Sequence, residues 1–188
     1  MSKAHQFAAA FHEEGYLRKT SEGLRLVRVP ALLEAWLQDE RVGSPKRAFV
    51  RSHFPGRAVP PRPNPGKLDL PLPPEAWSSV AIGGLSAARV LGLSHVSTKQ
   101  LPLVHVEDSI ATVLRGWGLE PTEPEQAQLV LSEPLYPRSL FRGKVSRPED
   151  LPLVDLWQIA LDSVGLAARG REQADYILQR VMQLQEDA

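Results

Sequence analysis

The residues of this chain that could do chemistry are five histidines, one Gly-Gly pair and a thin set of carboxylates. The histidines are His5, His12, His53, His95 and His105. None has a partner at His-x-x-x-His or His-x-Glu spacing on a convincing helix. His105 and Glu107 stand two apart on a predicted strand, hence on one side of it, where an imidazole and a carboxylate could hold a metal. A surface pair, or a hydrogen-bonded core histidine, is the plainer expectation. The chain has no cysteine, so disulfides and thiolate metal sites are excluded. Neither a Gly-x-Ser-x-Gly elbow nor a Walker loop is present.

The Gly-Gly pair sits in the stretch Ser79–Leu93, which reads as strand, tight turn and helix. Val80 and Ile82 give a β-prone entry, and Gly83 and Gly84 permit close backbone approach. Leu85, Ala88 and Leu91 follow at helical spacing, with Gly92 as the stop. This order resembles the entry to a nucleotidyltransferase fold. There a Gly-Gly or Gly-Ser turn meets nucleotide phosphates, and an Asp-x-Asp pair on the next strand holds the divalent metal. Magnesium takes hard oxygen ligands in octahedral geometry, which is why paired carboxylates are needed. The next strand here offers His105-Val-Glu-Asp108, and no Asp lies between Asp69 and Asp108. A related fold would therefore be catalytically silent. We expect no enzyme, no catalytic residue, no bound metal and no cofactor.

The elements around these residues are read from periodicity. Ser2–Glu14 is predicted as a helix with Phe7 and Phe11 on one side and Gly15 just past its end. Tyr16–Lys19, a Thr20–Gly23 turn and Leu24–Arg28 are predicted as a β-hairpin with one apolar and one basic face. Pro30–Glu40 is a second helix. Residues 44–53 set Lys46, Arg47 and Arg51 around Phe49 and Val50, as an edge strand or a basic linker. Eight of the seventeen prolines fall between Pro55 and Pro74, a density that no helix survives. Beyond them short apolar runs alternate with helical patterns. Strands are predicted at Leu101–Glu107, Gln128–Leu131 and Phe141–Val145, with a loop over Ser132–Arg138. Helices are predicted from an Asp108 cap to about Gly116, over Leu153–Val164 and over Arg171–Gln185. The last two leave a cluster of Gln158, Asp162, Arg169, Arg171 and Glu172, in which an arginine is expected to pair with Asp162.

The fold class is therefore α/β, with α+β as the variant: a small mixed sheet with helices, preceded by a partial winged helix-turn-helix. The domains are read as 1–54 for the winged-helix module, 55–74 for a proline-rich linker and 75–188 for the α/β body. A whole winged helix has two more helices ahead of its recognition helix, and the residues before Lys3 leave no room for them. Lys and Arg equal Asp and Glu at 22 each, but unevenly. Residues 1–67 carry 12 cations and 6 anions, and residues 68–188 carry 10 and 16. A basic arm on an acidic body suits nucleic-acid binding, or else a protein-interaction module with no DNA binding whose arm docks on its own body. No apolar run approaches the roughly 20 residues that span a bilayer, and no signal peptide is evident, so no membrane and a cytoplasmic location are expected.

Several stretches, taken in order, resemble the AbiEi-type antitoxin and transcriptional regulator family of type IV toxin-antitoxin systems. They are Gly15–Lys19 with Gly23–Leu26, Pro30–Trp36, Val80–Ala88, Leu129–Pro134, Val154–Asp162 and Ala168–Ala174. The resemblance implies a winged helix followed by an α/β antitoxin domain. It implies binding of double-stranded promoter DNA by the first and neutralisation of a nucleotidyltransferase toxin by the second. It puts Lys3, His5 and Gln6 on the recognition helix and Arg18, Lys19 and Arg25 on the wing. Val29 stands where a capping Asp is usual.

Overall fold

A computed structural model describes residues 3–38, 45–52, 68, 70–96, 100–142, 144–146, 151–165 and 169–186. Its contacts divide the chain into two compact units, Met1–Val42 and Gly43–Ala188.

In the first unit, helix α1 (Lys3–Glu13) ends as the sequence predicts. Gly15 takes φ 77°, the left-handed value that a residue without a Cβ adopts at no steric cost. Gly15 N donates to His12 O and Tyr16 N to Phe11 O, which satisfies two carbonyls of the last turn. Strands β1 (Leu17–Thr20) and β2 (Gly23–Leu26) follow as an antiparallel hairpin. The Thr20 hydroxyl donates to Gly23 O at 3.0 Å and accepts from Glu22 N at 3.3 Å, closing the turn. Tyr16 packs edge-on against Phe11 and lies beneath the Arg28 guanidinium. Helix α2 (Val29–Gln38) completes the unit, with its proline in the first turn, where the missing N–H costs nothing.

The second unit is a mixed sheet with helices. Its elements are β3 (Lys46–Ser52), β4 (Val80–Gly83), α3 (Gly84–Val90), β5 (Leu103–Val106), α4 (Ile110–Trp117), β6 (Leu119–Pro121) and β7 (Leu129–Glu133). There follow α5 (Pro137–Arg142), β8 (Val145–Ser146), β9 (Pro152–Leu153), α6 (Leu156–Val164) and α7 (Gly170–Glu186). The seven strands run in the order β6-β3-β7-β5-β4-β9-β8. The β5–β7 and β4–β9 pairs are parallel and the others antiparallel. β3 pairs with both β6 and β7, so residues 45–52, read above as the end of the first module, belong to the second unit. Of the proline-rich stretch, residues 55–67 and Asp69 lie outside the described residues; Leu70 and Leu72 are core residues.

Register explains the core. Ala48, Leu131, Val104, Ile82 and Leu153 are successive partners across five strands, and the last four are fully buried. Removing such side chains from water gives about 1.5–3 kcal/mol each. One step along, the row on the opposite face reads Arg47, Ser132, His105 and Ala81. Every residue of β4 and β5 is buried, so both strands are covered on their two faces.

Several elements depart from their predicted bounds for local reasons. Ser109, not Asp108, caps α4, its hydroxyl accepting from Thr112 N at 3.3 Å. Pro137 opens α5, so Pro137–Arg142 is helical and only Val145–Ser146 remains as a strand. Asp155 caps α6 by accepting from Gln158 N at 2.8 Å, and Leu153 is drawn onto β4 instead of extending the helix.

Candidate nucleic-acid interface

The sequence-derived contacts lie on α1 and the hairpin. Lys3 opens α1, and His5 and Gln6 follow it as exposed residues. Arg18 and Lys19 are exposed on β1, and Arg25 is exposed on β2. Arg18 and Arg25 are direct cross-strand partners and share one face of the hairpin. Like charges placed opposite one another destabilise a hairpin in the absence of an anion. Lys19 is the partner of Leu24 and so points to the other face, which the sequence pattern had read as apolar. The three wing cations are thus split two and one. A phosphate would meet a guanidinium pair on one side of the ribbon.

The residues that an enzyme reading would use lie in the second unit, and they are closed off. His105 is 1% exposed and Asp162 is 4% exposed. Asp162 Oδ2 accepts from His105 Nε2 at 2.9 Å and from Gly84 N at 3.1 Å. Asp162 Oδ1 accepts from Gln158 Nε2 at 2.9 Å. One carboxylate on α6 therefore ties down the strand β5, the turn after β4 and its own helix. Gly83 is required by this closeness: a Cβ there would stand 2.2 Å from Asp162 Oδ2 and 2.7 Å from His105 Nε2. Ser132, the register partner of His105, is fully buried, and neither its hydroxyl nor His105 Nδ1 has a hydrogen-bond partner. Ser132, His105 and Asp162 have the residue types of an acyl-transfer triad. The serine is not bonded to the imidazole, however, and all three side chains are buried.

The predicted partners of Asp162 are elsewhere. Arg169 forks onto Glu172, with Nε donating to Oε2 at 2.7 Å, and Arg171 pairs with Asp175 at 3.0 Å. The Arg169 hydrogen bonds hold the Glu172 carboxyl below the usual glutamate range. The actual partner, His105, is far away in sequence. The signal that could have found it is its setting in Leu103-Val-His-Val106: an imidazole between apolar neighbours on a buried strand must be hydrogen-bonded.

Glu107 lies past the end of β5 and is exposed, so it does not join His105 at a site. Among the described residues no group of three or more His, Asp or Glu is placed to hold a metal ion. The residues also do not fit the nucleotidyltransferase metal. The position on β5 carries His105, and its acidic neighbour faces away into the solvent. Among the described residues, no helix is long and apolar enough to cross a membrane.

Comparison with models of protein families, with curated proteins and with solved structures gave no match.

Proposed function

We propose that this chain is a DNA-binding regulator of the AbiEi antitoxin type. The first unit contacts promoter DNA through α1 and the hairpin, and the α/β body counteracts a partner nucleotidyltransferase toxin in the cytoplasm. The observation that carries this reading is the Arg18–Arg25 pair, two exposed arginines at directly opposite positions of a short ribbon that directly follows a helix. Cationic wings position a protein on phosphates, and a helix with short polar side chains at its start reads base edges. The stretches that, taken in order, resemble the family support the toxin-directed half. So does an exposed apolar point on the body, Leu135 and Tyr136, which are 53% and 75% exposed. The test is fluorescence anisotropy of the chain with the duplex upstream of its own gene against a scrambled duplex, at two salt concentrations. Selective binding that weakens steeply with salt supports the reading. Equal or absent binding opposes it.

A second reading, a nucleotide-binding protein of degenerate nucleotidyltransferase fold, draws on the strand–Gly-Gly–helix–strand order of β4, α3 and β5. Against it stands Asp162. The Gly84 N–H that a phosphate would need already donates to this carboxylate, whose charge would also repel a phosphate. The expected result of adding Mg-ATP is an unchanged melting temperature. A rise with ligand concentration would favour this second reading.

A further inference from the structure

We infer that β3 carries a second nucleic-acid contact, one that grips the phosphodiester backbone without reading sequence. The first support is where the positive charge lies. Residues 1–42, which form the first unit, hold six Lys and Arg and six Asp and Glu, so that unit is neutral. Residues 43–67 hold six Lys and Arg and no acid at all. The cationic excess of the first 67 residues thus lies in residues 43–67 and not at the wing; half of it, Lys46, Arg47 and Arg51, is on β3, and the other half lies outside the described residues.

The second support is geometric. Strand alternation sets Arg47, Phe49 and Arg51 on one face of the sheet. Arg47 and Arg51 are exposed, and Phe49 between them is 38% exposed. The same face is covered further along, where α6 locks onto His105, and that cover ends near β3. The Arg47 guanidinium stands 3.7 Å from the place a Cβ would take on Gly165, just past the end of α6. Arg51 pairs with Glu120 on β6, and on the other face Lys46 pairs with Glu133. Both are solvent-exposed ion pairs, which bind weakly and exchange for phosphate at little cost. An aromatic ring flanked by arginines on an open sheet face is the arrangement that sheet-based readers present to sugar and base. This inference takes its choice of polyanion from the DNA reading above, but it rests on different residues.

The test compares the full chain with three variants, R47Q/R51Q, R47K/R51K and R18A/R25A. Each is first shown to keep the wild-type circular dichroism and melting temperature. The probes are the upstream duplex, a scrambled 20-base-pair duplex and a single-stranded dT oligonucleotide, titrated at several salt concentrations. R47Q/R51Q is expected to lose about tenfold in affinity for every nucleic-acid probe at low salt. Its log–log salt slope should become shallower by about 1–2, and the preference for the upstream duplex should survive. R47K/R51K is expected to retain most of the affinity, because it keeps the charges. An unchanged slope in R47Q/R51Q overturns the inference, as does equal loss in R47K/R51K. If R18A/R25A alone abolishes all binding, the wing reading stands and β3 is excluded. If R18A/R25A binds like the wild type while R47Q/R51Q does not, β3 is the contact and the wing reading fails.

Discussion

Asp162 decides the most at the residue scale. Its two oxygens accept three hydrogen bonds, from Gly84 N, His105 Nε2 and Gln158 Nε2, in a site that water does not reach. An Asp162→Ala change leaves two buried donors, Gly84 N and His105 Nε2, and the half-buried Gln158 amide without their acceptor, and the cost of stranding the buried groups exceeds the net worth of the bonds themselves. The expected loss is about 3 kcal/mol, seen in urea or thermal unfolding of the full chain. Ser132→Ala removes a hydroxyl that has no hydrogen-bond partner and should cost under about 1 kcal/mol. Equal losses in the two variants would contradict this ranking. Part of the site was legible in the sequence. Gln158 and Asp162 stand four apart, and four residues bring two side chains onto one helix face. The third member was not legible, because His105 is 57 residues from Asp162 and only the packing of α6 against α3 and β4, the neighbour of β5, brings them together. Arg169 and Arg171 are nearer in sequence, but each is taken by a carboxylate in the first turns of α7, Glu172 and Asp175.

At the element scale, short-range signals were legible where a local hydrogen bond sets the outcome. Gly15 ends α1 with the two capping bonds expected of it, and the Val80–Val90 strand, turn and helix follow the sequence pattern closely. Boundaries moved where two residues compete for one role. Asp108 and Ser109 are both good caps. Ser109 has the extended backbone of a cap, φ −65° and ψ 144°, and its hydroxyl reaches Thr112 N. Ser109→Ala is therefore expected to cost about 1 kcal/mol and Asp108→Ala less than about 0.5 kcal/mol, by equilibrium unfolding. The reverse order would return the cap to Asp108. Leu153 failed as the start of the predicted helix for a different reason. Leucine suits a helix well, but Leu153 gains a buried place opposite Ile82, and burial outweighs propensity. β6 left no readable pattern, being only three residues long.

For the whole molecule, the mixed α/β class was legible in the alternation of apolar runs and helical patterns, and the seven-stranded sheet bears it out. The strand order was not, since it rests on pairings such as β3 with β7 and β4 with β9 that bridge long stretches of chain. β3 read as an edge strand or a basic linker because it carries three cations in seven residues, and it is an interior strand whose Ala48 and Val50 face the core side. Charge counted over the first 67 residues hid its true location, which became visible only when the two units were separated. The central proposal is that the hairpin arginines hold this chain on the phosphates of its DNA while α1 reads the bases. The most direct measurement is the affinity of R18A/R25A, beside the wild type, for the upstream duplex and a scrambled one at fixed salt. The account predicts that the wild type prefers the upstream duplex and that the variant loses affinity for both duplexes, with its salt slope shallower by about 1–2. A folded variant that keeps the wild-type affinity would contradict it.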